Sequence, residues 1–160
     1  MAEVNTATSI LRALGVILLI LTLLVASVRD LKHKEVERIV WLPACIFYGI
    51  RFICLIKTAG REACFCLTLI IVYGLMQEAL FSKFYGRADS HAFLICGIYF
   101  IYLKQDLTYC FMHMTFSFLI LTARQLYKGN VGKNFALIEP VAFIPYIFLS
   151  FSFVYLFCCF

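Results

Sequence analysis

Four carboxylates of this sequence border long apolar runs, and they are the side chains best suited to chemistry. The chain holds nine acidic residues, and five of these lie in short polar segments where solvation explains them. The other four are Asp30, Glu78, Asp89 and Glu139. An ionisable group at membrane depth costs roughly 2.5–3.5 kcal/mol on insertion scales, so such groups are candidates for function.

Two carboxyls brought together at the mouth of a helix bundle are able to hydrolyse a peptide bond. Like charges a few ångströms apart do not both ionise readily, so the pair shares one proton. The ionised carboxyl then takes a proton from water while the protonated one polarises the substrate carbonyl. This chemistry needs neither a metal nor a nucleophilic side chain, and we expect no cofactor.

Each of the four carboxylates also has a structural interpretation. Asp30 is equally typical of a solvated residue just beyond a helix, because charges commonly flank membrane spans. Glu78 can extend from an interface toward water. Glu139 precedes Pro140 and suits the first turn of a helix, where a negative charge is stabilised by about 0.3–1 kcal/mol. Asp89 is the least easily explained in this way, since its helix is too short to span without it.

The composition indicates a single integral membrane domain over residues 1–160. The chain is 64% hydrophobic and 14% charged, with a mean hydropathy of +0.95, which lies far from the composition of soluble domains. The net charge of +5 fits basic loops beside a membrane, and no pattern of nucleic-acid binding accompanies it. All eight cysteines fall within hydrophobic runs without a histidine at zinc-site spacing, so we expect them to pack and to bind no metal.

Six apolar runs approach the roughly 20 residues needed to cross a bilayer. The fourth reaches that length only if "YGRADSH" (85–91) forms its first turns, which places Asp89 within a helix. The sequence therefore predicts an all-α polytopic membrane protein, a bundle of about six transmembrane helices. The predicted spans are 9–28, 40–56, 63–81, 85–103, 107–126 and 135–157.

The distribution of lysine and arginine predicts the orientation. The connections after the first, third and fifth spans hold nine of these residues and the opposite side holds five. The basic loops face the cytoplasm, so we expect both termini outside and Asp30 and Asp89 at the cytoplasmic face of the cell membrane. Arg12 and Arg51 lie within a turn or two of helix ends on the outer side, where their side chains can extend outward.

Three motifs resemble those of the type IV prepilin peptidases, which are intramembrane aspartyl proteases of the GxGD type. "SVRDLKHKEV" (27–36) is similar to the region of their first catalytic aspartate, and "GRADSH" (86–91) to their second motif. "ALIEPVAFIPYIFLS" (136–150) resembles their last helix, which is interrupted by prolines. The resemblance covers most of the chain. Two positions depart from the family pattern: Val36–Glu37 stands where isoleucine–proline is usual, and His91 where lysine is common.

The resemblance implies an endopeptidase that removes the basic leader from a pilin-like precursor at the cytoplasmic membrane face. Asp30 and Asp89 would be the catalytic pair, and Gly86 and Ala88 would allow close backbone approach. His91 is a possible neighbour of that site or a plain interfacial histidine. The C-x-x-C motifs of the longer bacterial enzymes are absent from this sequence, which implies the short, peptidase-only form. Glu139 and Pro140 complete the candidate site residues.

Two other interpretations stay open at this stage. The chain could be a non-enzymatic membrane protein, such as a small transporter or an assembly subunit, in which acidic residues relay protons. It could also be a family member without activity, since its first motif is atypical. Membrane lipid and a precursor with a hydrophobic helix are the expected partners, nucleic acid is not, and the oligomeric state is left open.

Overall fold

A computed structural model describes the backbone of residues 2–131 and 142–159, and every regular element within these ranges is helical. The predicted all-α class is thereby confirmed. A 3-10 turn, Arg38–Trp41, leads into the second helix, and a π-helical segment, Gln77–Phe81, follows the third. The helices are α1 Ala2–His33, α2 Leu42–Thr58, α3 Gly60–Met76, α4 Ser82–Tyr85, α5 Arg87–Lys104, α6 Thr108–Val131 and α7 Ile144–Cys159.

Three helical stretches are long and apolar enough to cross a membrane: Ile10–His33, Arg38–Lys57 and Gly60–Phe84. A shorter apolar helix spans Ile144–Phe157. Large apolar side chains along α1, α2 and α3 point away from the protein, among them Leu21, Ile46 and Ile71. Lipid is the solvent that such faces require, because they would be costly in water. These features agree with a membrane protein, and the count of six crossings stays a prediction.

α5 lies at the centre of the bundle and contacts α1, α2, α3, α6 and α7. Small residues allow this close packing: a Cβ added at Gly97 would lie 2.1 Å from the Tyr73 ring of α3. Tyr73 is fully buried, and its hydroxyl donates a hydrogen bond to the Phe93 carbonyl at 3.4 Å. The buried residues of α5 are Ser90, Ala92, Phe93, Ile95, Cys96, Gly97, Tyr99, Phe100 and Ile101.

α1 continues five residues past the predicted end of the first span at residue 28, so Asp30 lies within the helix and not beyond it. Lys34 ends the helix with a left-handed backbone (φ 54°), and its N–H donates to the Asp30 carbonyl at 2.9 Å. We call the end of the bundle where α1 ends and α5 begins the aspartate end. The other end, where α2 ends and α3 begins, is the opposite end.

Candidate functional site

Asp30 is buried at the aspartate end and joins α1 to α7. Its Oδ2 atom accepts a hydrogen bond from the Ile144 N–H at 3.0 Å. The first N–H groups of a helix have no partner within it and carry a partial positive charge. Asp30 therefore caps α7 from a neighbouring helix, 114 residues away in sequence.

Asp89 is half-buried in the first turn of α5, three residues after the break at Gly86. A helix N-terminus is a favourable position for a negative charge. The charge of Asp30 acts electrostatically on the Asp89 carboxyl. The structure thus brings these two sequence-predicted residues to the same end of the bundle, on two helices that contact each other.

Gly86 shapes the backbone beside Asp89. Its dihedral angles are φ 98° and ψ 162°, a conformation essentially restricted to glycine. Its carbonyl accepts the Ser90 N–H at 3.1 Å and so closes the first turn of α5. A Cβ added there would meet Asp89 Oδ2 at 3.9 Å. The bare backbone at Gly86 consequently lies next to the carboxyl group and leaves space for another chain to approach.

The π-helical segment Gln77–Phe81 contacts α5 and is joined to it by a hydrogen bond. The Ser90 hydroxyl donates to the Gln77 carbonyl at 3.1 Å, and Gln77 Nε2 donates to the Met114 sulfur at 3.2 Å. Single π-helical turns are frequent at functional sites. Sequence reasoning missed Ser90 and Gln77 as residues that hold α5 in place, although both are polar residues within apolar runs, which is the available signal.

Two other predicted site residues, Ala88 and His91, contact the adjacent core or their own helix. Ala88 is half-buried and packs against the core. His91 is also half-buried, and its Nδ1–H donates to the Arg87 carbonyl at 2.6 Å, within its own helix. This bond engages one ring nitrogen of His91 in the first turn of α5. Glu139 and Pro140 lie outside the described residues.

α7 has a second polar attachment one turn further along. The fully buried His113 of α6 donates from Nε2 to the Ile147 carbonyl at 2.9 Å. The hydroxyls of Ser117 and Ser150 bond to each other beside it. Asp30 and His113 therefore hold the beginning of α7 from two sides. This network was not expected from the sequence, because a lone histidine within an apolar run indicates no partner.

One further polar group lies near Asp30. Ser27 precedes it by one turn on α1, and its buried hydroxyl has no hydrogen-bond partner among the described residues. Residues three apart share a helix face, so Ser27 and Asp30 lie on the same side of α1. No group of three potential metal ligands occurs in the part of the chain that the structure describes.

Comparisons with protein-family models, with curated proteins and with solved structures found no match. The geometry at the aspartate end is therefore the basis for any function assigned to the chain. That geometry consists of two carboxyls at the same end of the contacting helices α1 and α5, a glycine backbone beside one of them, and a helix N-terminus bound to the other.

Proposed function

We propose that this chain is a membrane aspartyl endopeptidase, similar to the prepilin peptidases, that removes a basic leader from a pilin-like precursor at the cytoplasmic face of the membrane. The observation that carries the proposal is the placement of Asp30 and Asp89 at one end of the bundle, on two helices that contact each other, where the charge of Asp30 acts on the Asp89 carboxyl. Two interacting carboxyls that share a proton are the minimal machinery for acid–base hydrolysis of a peptide bond.

The two carboxyls divide the proton transfers between them. The ionised carboxyl takes a proton from a water molecule, whose oxygen attacks the substrate carbonyl carbon. The protonated carboxyl donates a hydrogen bond to the carbonyl oxygen as charge develops there. The C–N bond then breaks, and the leaving amine receives the proton that was taken from water. Asp89 is half-exposed, which gives water access, and α7 holds the orientation of Asp30.

The surroundings of the pair suit an extended substrate in the membrane. The bare backbone at Gly86 leaves room beside Asp89 for the precursor chain. The apolar outer faces of α1, α2 and α3 offer a surface in lipid along which the hydrophobic helix of a precursor can lie. The junction between that helix and its leader would then arrive at the aspartate end, where the carboxylates attract the basic leader.

The contact between Asp30 and Ile144 favours a second candidate, in which Asp30 serves only to fasten α7. Under that hypothesis the chain is a membrane assembly subunit or an inactive relative of the peptidases. The two candidates differ in what they require of position 30. Catalysis requires a group that exchanges a proton, whereas capping requires only an acceptor for a backbone N–H.

Asparagine separates these requirements, because its side-chain oxygen still accepts the Ile144 N–H but cannot take up a proton from water. We would co-express the chain with a pilin-like precursor and follow leader removal by gel mobility. We expect Asp30→Asn and Asp89→Asn each to slow cleavage by about 100-fold or more, the usual contribution of a general acid or base. Both variants should still insert into the membrane.

Glu78→Gln is the matched control, since Glu78 is an exposed carboxylate in the neighbouring π-helical segment. Its precursor cleavage should equal that of the parent chain. Undiminished cleavage in both asparagine variants would refute the catalytic pair. If instead Asp30→Asn is active and only Asp30→Ala is not, position 30 acts as the helix cap alone.

A further inference from the structure

Arg51 is a cation buried within a candidate membrane span. It lies on α2, in the stretch Arg38–Lys57, six residues and so about 9 Å from the end of that stretch. Only 8% of the residue is exposed. Its guanidinium carbon lies 4.4 Å from the centre of the Tyr102 ring on α5. The side chain therefore packs against the last turn of α5, which ends at Lys104, and it is covered by protein and not by water.

Arg51 has no carboxylate partner in the described part of the chain, where the ion pair is Arg29–Glu37 at the aspartate end. Of the acidic residues described at the opposite end, Glu62 is exposed and Asp106 accepts the Thr108 N–H. The buried Nε atom of Arg51 also lacks a hydrogen-bond partner among the described residues. A desolvated charge is costly unless it is paired, and the Tyr102 ring offsets only part of that cost.

A second arginine lies toward the same end on the adjacent helix. The Tyr48 hydroxyl of α2 donates to the Gly15 carbonyl of α1 at 3.3 Å, which fixes the level of one helix against the other. Arg12 precedes Gly15 by one turn, and Arg51 follows Tyr48 by one turn. Because consecutive helices joined by a short connection run in opposite directions, both arginines lie about one turn beyond this contact. Arg12 is exposed and forms no ion pair within the described ranges.

We infer that Arg51, assisted by Arg12, binds a phosphate group, supplied by the headgroup of an anionic membrane lipid. A guanidinium presents a planar fork of N–H donors that matches phosphate oxygens. The Tyr102 ring beneath the guanidinium belongs to the last turn of α5, which ends at Lys104. The charged end of Arg51 therefore lies near the end of the bundle, toward the headgroup layer, which holds phosphodiesters at high local density. A bound phosphate would give Nε an acceptor and would neutralise two neighbouring cations. This inference is independent of the proposed peptidase activity.

Native mass spectrometry of the detergent-purified chain tests the inference, with dioleoylphosphatidylglycerol as the probe. We expect the parent chain to retain one lipid molecule and Arg51→Gln to bind it about ten-fold more weakly, as expected for loss of a charge-assisted bidentate contact. Arg61→Gln is the matched control, because Arg61 is exposed near the same end of the bundle. Dioleoylglycerol, which has the same tails and no phosphate, should not be retained by either variant or by the parent.

Arg12→Gln is a second variant that should fold normally, since Arg12 is exposed on the surface of α1. We expect it to weaken retention of phosphatidylglycerol about three-fold, because its contribution is electrostatic and partly screened. Equal retention by the parent, Arg51→Gln and Arg61→Gln would overturn the inference. If inorganic phosphate displaces the lipid at equal concentration, the phosphate site is supported and the lipid is refuted as its source.

Discussion

The two ends of the bundle each bury an ionisable side chain, but the groups that surround these two side chains differ. Asp30 and Arg51 are equally buried, at 8% exposure. The Asp30 carboxyl accepts the backbone N–H of Ile144 at the beginning of α7. Arg51 is covered by an aromatic ring, and its Nε has no partner among the described residues. A buried charge that the chain satisfies serves to join helices, whereas one left unsatisfied indicates a partner from outside.

The packing between the two ends should give the largest effect on stability. In Gly97→Ala the new Cβ would overlap the buried Tyr73 ring, so we expect the free energy of unfolding to fall by about 3 kcal/mol, as in overpacked cores. Denaturant titration in detergent micelles, followed by circular dichroism, measures this. Gly49→Ala is the control: it lies on an exposed face of α2 with open space around it, and alanine there should stabilise by about 0.5–1 kcal/mol. Equal effects at the two positions would contradict the close approach of α3 and α5.

The aspartate end should respond next most strongly. Asp30→Ala leaves the buried N–H of Ile144 without its acceptor, which costs about 1–3 kcal/mol of unfolding free energy. Asp30→Asn keeps an acceptor of the same shape, and we expect it to lose less than half as much. The same titration compares the two variants. If alanine and asparagine destabilise equally, the side chain of Asp30 does not cap α7.

At the opposite end, removal of the buried charge should not lower the stability of the protein. Arg51→Met removes a buried cation that has no ion-pair partner in the described part of the chain, and it retains a long apolar side chain. In lipid-free detergent we therefore expect stability to change by less than about 1 kcal/mol or to increase. Adding phosphatidylglycerol should raise the melting temperature of the parent chain and leave that of Arg51→Met unchanged. A large loss of stability in the variant without lipid would show that Arg51 has its partner within the chain.

The smallest effect on stability is expected from substitution of Asp106, which lies outside the membrane spans. Its carboxyl accepts the Thr108 N–H at 3.1 Å before α6, and hydrogen bonds with Thr108 lower its pKa from the ordinary value of 3.8. Stabilisation by this cap is therefore complete above pH 3.8 and is lost as the pH falls through the lowered pKa. We expect Asp106→Ala to lower the melting temperature slightly at pH 7 and to leave it unchanged at a pH below the lowered pKa of Asp106. An equal difference at both pH values would contradict the cap.

Local features of the sequence predicted much of the candidate site. Asp89 was expected within a helix because the apolar run that follows it is too short to span alone, and it lies in the first turn of α5. The same prediction included Tyr85 and Gly86 in this helix, whereas the chain is broken at Gly86, which has a positive φ, and α5 begins at Arg87. The helical position of Asp89 depends on residues within a few turns of it, and such short-range information is readable from sequence.

Long-range pairings could not be obtained in the same way. The sequence suggested that Asp30 is solvated or catalytic, and it did not suggest that Asp30 caps a helix beginning at Ile144. It also allowed the Arg51 side chain to extend outward, and it did not indicate that this side chain packs on Tyr102. Periodicity determines how deep a residue lies along its helix, but the rotation of that helix and the identity of its neighbour depend on contacts between distant segments.

The sequence by itself determined that this chain is helical and suited to a membrane, because apolar runs of that length must satisfy their own backbone hydrogen bonds in lipid. Only the tertiary structure decided which charge has a partner. The packing of α1 against α7 gives Asp30 the Ile144 N–H as a donor. The packing of α2 against α5 places Arg51 on the Tyr102 ring, and its Nε atom has no hydrogen-bond partner within the described ranges. These outcomes arise where helices meet, and helix–helix contacts are set by the shapes of two surfaces together.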